Sequence, residues 1–176
     1  MEIIDYYDEK NSEKLGSADR KYVHDNDLWH REIAVWVMNK NKEILLQRRS
    51  HKKKNGANKL SIVAGHVEKD EKEIIAAIRE LSEEVGLNYE ENQLIFLGVY
   101  KLEQDKNKCF SYTYLVITDK NINEMIMQED EVSELKYITL KELEKKIEIQ
   151  DEELPLVKRS YIKELVEKIK GEANKI

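Results

Sequence analysis

Glu80, Glu83 and Glu84 place three carboxylates within five residues, with Arg79 directly before them. On a helix that turns about 100° per residue, Glu83 falls about 60° to one side of Glu80 and Glu84 about 40° to the other. Ile74, Ile78, Leu81 and Val85 gather roughly 100° to 160° away, so an apolar stripe runs beside a separate acidic ridge. A solvated charged face is the plain reading of such a ridge. Two features oppose it. Like charges at i,i+3 and i,i+4 cost roughly 0.2–0.5 kcal/mol per pair, and they sit near a helix C-terminus, where the macrodipole disfavours anions. A divalent cation turns that repulsion into attraction. Mg²⁺ suits the donors, being hard, oxygen-ligated and able to keep waters for a phosphate substrate. Arg79 stands four residues before Glu83, within reach on the same flank.

A positive segment could meet such a substrate. Arg48 and Arg49 end an apolar run, and His51-Lys52-Lys53-Lys54 carry the charge into a loop. Arginine suits phosphate oxygens because its planar fork donates two hydrogen bonds at once; a solvated loop is the alternative. Trp29, Trp36 and Tyr100 could stack on a base, although aromatic residues in strands mostly fill cores.

These residues need elements to hold them. A helix is predicted from Glu71 to Val85, with Asp70 as N-cap, Glu73 in a capping-box arrangement and Gly86 as the left-handed stop. Strands are predicted at Glu2–Tyr7, Arg31–Met38, Glu43–Arg48, Leu60–Ala64, Gln93–Leu102, Cys109–Ile117 and Leu135–Ile138. The run Ile33-Ala34-Val35-Trp36-Val37 is apolar at every position, as expected of a strand covered on both faces. Two further helices are predicted at Leu140–Ile147 and Pro155–Lys170, with Pro155 in the first turn of the last. The fold class that follows is α/β, a mixed sheet sandwiched between helices.

With 176 residues the chain fits one domain over 1–176, carrying a hairpin-like extension over 1–28 and a C-terminal helix over 151–171. Hydrophobic residues are 40% and charged residues 38%, a composition of folded rather than disordered chains. A net charge of −6 argues against a nucleic-acid polymer as partner. No apolar run approaches a membrane span, and the first residues lack the pattern of a signal peptide. Cys109 is the single cysteine, which leaves no internal disulfide and points to a reducing, cytoplasmic setting. A homodimer is a candidate assembly.

The segment from Gly65 through Glu71, Arg79-Glu80-Leu81, Glu83-Glu84 and Gly86-Leu87 resembles the Nudix box, Gx5Ex7REUxEExGU, at all nine specified positions over 23 residues. The resemblance implies an α/β/α sandwich and hydrolysis of a nucleoside diphosphate linked to another moiety, with Mg²⁺ or Mn²⁺. It implies Glu80, Glu83 and Glu84 as metal ligands, the Gly65 carbonyl completing the site, Arg79 holding the glutamates and Glu71 in a structural role. Glu84 could serve as ligand or as base. The family often draws one more glutamate from a later loop; here Gln128-Glu129-Asp130-Glu131 is the candidate source, with Glu131 or Glu129 favoured, against the reading of an exposed acidic loop.

Leu28-Trp29-His30-Arg31, Leu45-Leu46-Gln47-Arg48-Arg49-Ser50 and Ala64-Gly65-His66 look like a subgroup that includes isopentenyl-diphosphate isomerase and hydrolase-like relatives. The isomerase uses a cysteine before its Gly-His pair and a metal held by histidines and glutamates. Here that position is Ala64, and Lys108-Cys109-Phe110-Ser111-Tyr112 lacks the isomerase's pair of glutamates. His24, His30 and His66 resemble the histidine set. The small-molecule diphosphate hydrolase is therefore the leading expectation, with Arg48, Arg49 and His66 as candidate substrate contacts. An isomerase and a non-catalytic nucleotide-binding module are the alternatives.

Overall fold

The computed structural model describes residues 1–53, 55–104 and 106–176. Strand β3 (Trp29–Asn39) organises the rest. Its even-numbered residues Ala34, Trp36 and Met38 enter one apolar cluster, and its odd-numbered Ile33, Val35 and Val37 enter a second. Two-residue alternation thus serves two cores, which is why the sequence shows no polar face. The first cluster is closed by α3 (Leu140–Glu148) and α4 (Ile162–Ala173), the second by α2 (Glu73–Val85). The mixed sheet between helices is as expected.

One edge of β3 pairs in parallel with β8 (Asn107–Thr118) along its full length, and β8 forms a hairpin with β7 (Leu94–Gln104). The opposite edge is divided among three strands. β1 (Ile3–Tyr7) takes Trp29 and His30, β6 (Val63–His66) takes Glu32 to Val35, and β4 (Glu43–Arg49) joins only at Met38↔Ile44. β4 then leaves β3 and pairs instead with β5 (Leu60–Ser61) and β9 (Val132–Thr139). The sheet splits there, and the far edge of β6 borders the split.

The predicted run Leu60–Ala64 is two strands, broken at Ile62, because β5 follows β4 while β6 follows β3. Two elements of the N-terminal extension have no predicted run of their own. β2 (Lys14–Asp19) is an edge strand on β1, and α1 (Arg20–Asp25) is a short helix capped by the Asp19 carboxylate. Neither shows a clear apolar period, since β2 has no buried residue and α1 only Val23.

Helix α2 starts at Glu73, and Asp70 does not cap it. Asp70 takes a positive φ of 59°, donates its N–H to Asp5 Oδ2 at 3.0 Å and pairs with Lys14 at 2.6 Å. These bonds tie it to the β1–β2 hairpin rather than to the helix. Gly86 ends α2 in the left-handed conformation, as expected.

The predicted helix Pro155–Lys170 is interrupted. Pro155–Lys158 form a 3-10 turn, Arg159 is extended at φ −70° and ψ 136°, and α4 follows. Buried Leu154 and Val157 are three residues apart, which matches the 3-10 period better than the α period. Among the described residues no helix is long and apolar enough to cross a membrane.

Candidate active site

The acidic ridge of α2 lies against β6. A Cβ on Gly65 would stand 2.1 Å from Glu80 Oε1, so only glycine lets this carboxylate reach the strand. Arg79 locks the cluster. Its Nε and Nη2 donate to the two oxygens of Glu71 at 2.9 and 3.0 Å, its Nη1 to Glu80 at 2.7 Å and Glu83 at 3.4 Å, and its Nη2 also to the His66 carbonyl at 3.0 Å. This shell of carboxylates holds the guanidinium firmly charged. Glu71 is thus a support for Arg79.

Strand phase decides which carbonyl faces the glutamates. Val67 N–H donates to the Arg31 carbonyl at 3.0 Å, so Arg31/Val67 is a hydrogen-bonded antiparallel pair. Two residues along, Ile33/Gly65 is also such a pair, and the Gly65 carbonyl is turned into the ladder. Ala64 and His66 direct their polar groups the other way. Consistently, the Ala64 N–H donates to Glu84, and the His66 carbonyl accepts from Arg79. By this phase the Ala64 carbonyl faces away from β3 while the Gly65 carbonyl faces it, and Gly65 contributes space for Glu80.

Glu84 is 5% exposed and accepts from Gln47 Nε2 at 2.7 Å. Burial pushes its carboxyl up to about 8, assisted by the charges of Glu80 and Glu131. Glu80 is likewise pushed up to about 7, chiefly by burial and against the pull of Arg79. Glu83 is half exposed. Glu80 and Glu84 are carboxylates that resist ionisation and Glu83 lies within reach of Arg79; all three are hard oxygen donors on one flank of α2, more widely spaced than the ligand atoms of His24, His30 and His66. The residues present fit a divalent cation. Gln47 was not singled out from the sequence; its parity with buried Leu45 on β4 is the signal that places it facing α2.

The loop before β9 is fastened to the end of α2. Ile126 N–H donates to the Val85 carbonyl at 3.2 Å and Gln128 N–H to the Glu84 carbonyl at 3.3 Å, while the Glu131 carbonyl accepts from Ser50 N–H at 2.8 Å. This brings Glu131 close enough to raise Glu84, and the Glu131 carboxylate forms an ion pair with Lys53. Lys52 pairs with Asp130 at 2.6 Å. Lys54 lies outside the described residues. Glu129 is exposed.

The two arginines separate. Arg48 is on the face away from Gln47, bonded to Glu134 at 2.6 Å and Glu153 at 3.0 Å, and is not brought to the carboxylates. Arg49 donates to the Asn55 carbonyl at 3.2 Å in the basic loop.

His66 joins a second group. The ligand atoms of His24, His30 and His66 lie within 4.8 Å of one another, a spacing that could hold a metal ion. Glu32 joins them, at 3.3 Å from His30 Nε2 and 3.5 Å from His66 Nε2. Burial pushes His66 down to about 4. Burial also opposes ionisation of Glu32, but the hydrogen bond from His30 and the nearby His66 outweigh it and keep that carboxyl well below its usual range. Cys109 is buried and bonded to Glu32, which together push its thiol far up. Ala64 carries no thiol and its side chain is exposed.

Glu80 and Glu84 give a pH-dependent result. Both folded-state values are raised above the ordinary carboxylate value, so their ionisation costs stability, and that cost grows as pH rises from about 4.5 to about 8. The metal-free protein is expected to lose a few kcal/mol across that window, on the scale of about 1.4 kcal/mol per unit. Added Mg²⁺ should raise Tm more at pH 8 than at pH 5, as differential scanning calorimetry with and without chelator will measure. Equal Mg²⁺ shifts at both pH values would contradict the assignment.

The model of the NUDIX domain matches residues 28–160. An uncharacterized Nudix hydrolase of Clostridium acetobutylicum is 31% identical over 150 residues, covering 81% of this chain and 72% of that protein. An isopentenyl-diphosphate Delta-isomerase of Pectobacterium atrosepticum is 26% identical over 151 residues, covering 82% of this chain and 81% of the isomerase. The crystal structure of DR0079 from Deinococcus radiodurans superposes with a TM-score of 0.73 at 23% identity, over 96% of this chain and 99% of that one, and shows the same fold. With an unbroken box folded into one acidic corner and a family match over most of its length, the chain belongs to the Nudix family and is a hydrolase.

Proposed function

We propose that this enzyme is a Mg²⁺-dependent hydrolase that cleaves the diphosphate bond of a nucleoside diphosphate derivative or a related small molecule, with Mn²⁺ as the alternative ion. The observation that supports the proposal is the unbroken box on α2, with Glu80 against Gly65 of β6, Arg79 reaching both Glu80 and Glu83, and Glu84 buried beside them. The three glutamates would hold the ion. When bound, the ion supplies neutralisation of the diphosphate oxygens and a lowered pKa for a coordinated water.

The protein's own groups do the remaining work. Glu84, fixed by Gln47 and the Ala64 N–H, accepts a proton from the attacking water, and the hydroxide so formed displaces the leaving phosphate in line at phosphorus. Glu131 is the second candidate for that proton. Arg79 keeps Glu80 and Glu83 on station. Arg49 and Lys53, in the loop facing Glu131, are the cations placed to meet a phosphate; Arg48 neutralises Glu134 and Glu153 instead. The reaction is one of small molecules in the cytoplasm.

The group of His24, His30, His66 and Glu32 favours a second reading, an isomerase-like enzyme, because it offers a further ion site beside the box. Ala64 in place of a thiol weighs against it. One panel separates the readings: nucleoside di- and triphosphates, nucleotide sugars, dinucleotides and prenyl diphosphates, each with Mg²⁺ and Mn²⁺. Release of a nucleoside monophosphate or phosphate is expected. Conversion of isopentenyl diphosphate without hydrolysis would establish the isomerase, and tight binding without turnover of any compound would establish a non-catalytic module.

A further inference from the structure

Arg159 differs from most arginines of this chain. Arg20, Arg31, Arg48 and Arg79 each contact a carboxylate. Among the described residues Arg159 contacts none, and its side chain donates only to the Tyr161 hydroxyl, at 3.0 Å. It forms a wall shared by two spaces. Inward is a cavity of about 10 Å³ lined also by Ala34, Trp36, Ile62, Thr113 and Tyr161. Outward is a groove of about 220 Å³ lined also by Lys101, Glu103, Lys158 and Ser160. Lys101 is paired with Glu9 and Lys158 with Glu152, and Glu103 faces Lys108, which leaves Arg159 as the uncommitted charge of the groove among the described residues.

The inner cavity is lined by one polar hydrogen without an acceptor among the described residues. Trp36 is 1% exposed and its indole N–H, a donor only, has no partner. The buried Thr113 hydroxyl makes one long bond, 3.4 Å to the Ser111 carbonyl. A space of this size takes one oxygen atom. An oxygen bearing negative charge satisfies the indole, the hydroxyl and the guanidinium together, and the groove outside holds the group to which it is attached.

The sheet register places this cavity relative to the acidic corner. Thr113 on β8 is opposite Ala34 on β3, and Ala34 is opposite Ala64 on β6. Two strand spacings, about 10 Å, separate Thr113 from Ala64. We infer that Arg159, with the Trp36 indole and the Thr113 hydroxyl, binds a second phosphoryl group of the substrate, carried on the moiety beyond the diphosphate. The inference rests on the hydrolase reading for its place in turnover, but not for the binding itself.

Two measurements test it. The full-length ¹⁵N-labelled protein is titrated with inorganic phosphate while the two indole N–H resonances are followed, Trp29→Phe assigning them. Saturable movement of the Trp36 resonance is expected, absent in Arg159→Met and partly restored in Arg159→Lys. A Trp36 resonance that does not move, or moves equally in Arg159→Met, overturns the site. Hydrolysis is then compared for paired diphosphates differing only in a distal phosphomonoester, such as coenzyme A and its dephospho form. The wild type should favour the phosphorylated member by about tenfold or more in kcat/KM, the scale of a charge-assisted hydrogen bond. Arg159→Met should bring the ratio near one, and an unchanged ratio refutes the role in turnover. If no diphosphate in either set is cut, the hydrolase reading fails, and the phosphate titration alone decides the site.

Discussion

Glu84→Gln is expected to lower kcat by about 10²- to 10⁴-fold, the contribution of a positioned base, while leaving the chain folded. The amide is nearly the same size and keeps an acceptor for Gln47, so the packing of α2 on β4 survives. It removes the carboxylate that accepts the proton and one of the three charges that hold the ion. Stability should move in the opposite direction. Burial raises the folded-state value of Glu84 to about 8, so at pH 8 the wild-type metal-free protein carries a cost the variant lacks. Urea unfolding at pH 8 in chelator should therefore show Glu84→Gln as the more stable form, and at pH 5 the difference should shrink. Wild-type turnover in this variant and in Glu83→Gln alike would remove the ion from the acidic corner.

Arg79→Lys is expected to cost about 3–5 kcal/mol of stability and about 100-fold in turnover despite preserving the charge. Lysine has three donors at one point, whereas Arg79 bridges Glu71, Glu80, Glu83 and the His66 carbonyl through three nitrogens. Glu71 and Glu80 are each less than 15% exposed, so whichever the lysine abandons is left largely buried without its counter-charge. Urea unfolding and steady-state kinetics measure both terms. A lysine variant as stable and active as the wild type would show that the glutamates hold their places without the guanidinium fork.

The most legible part of the chain was α2, because its apolar stripe and its acids follow one period and Gly86 marks the end. The double coverage of β3 was legible for a similar reason: an apolar run with no alternation leaves no face for water. What escaped depends on distant partners. Asp70 looked like a cap because local sequence cannot show Lys14 and the Asp5 carboxylate waiting across a hairpin. Gln47 and Glu32 each look like an ordinary polar residue in a strand until the helix or the histidines are placed beside them. Which carbonyl faces away from β3, that of Ala64 or that of Gly65, depends on strand phase, which is fixed by pairing with β3 and not by the identity of the glycine. The sequence predicts a continuous helix through Arg159, whereas its backbone is extended after a 3-10 turn flanked by buried Leu154 and containing buried Val157.

The arrangement at position 64 has a consequence for how such an enzyme diversifies. Its main-chain N–H donates to Glu84, and its exposed methyl group lies on the face of the sheet it shares with Ala34. Every amino acid but proline brings the same peptide N–H, so the side chain there can be exchanged to reshape what the enzyme accepts without redesigning how it cuts. One residue thereby keeps the inherited chemistry constant while its substituent is left free to drift toward new compounds.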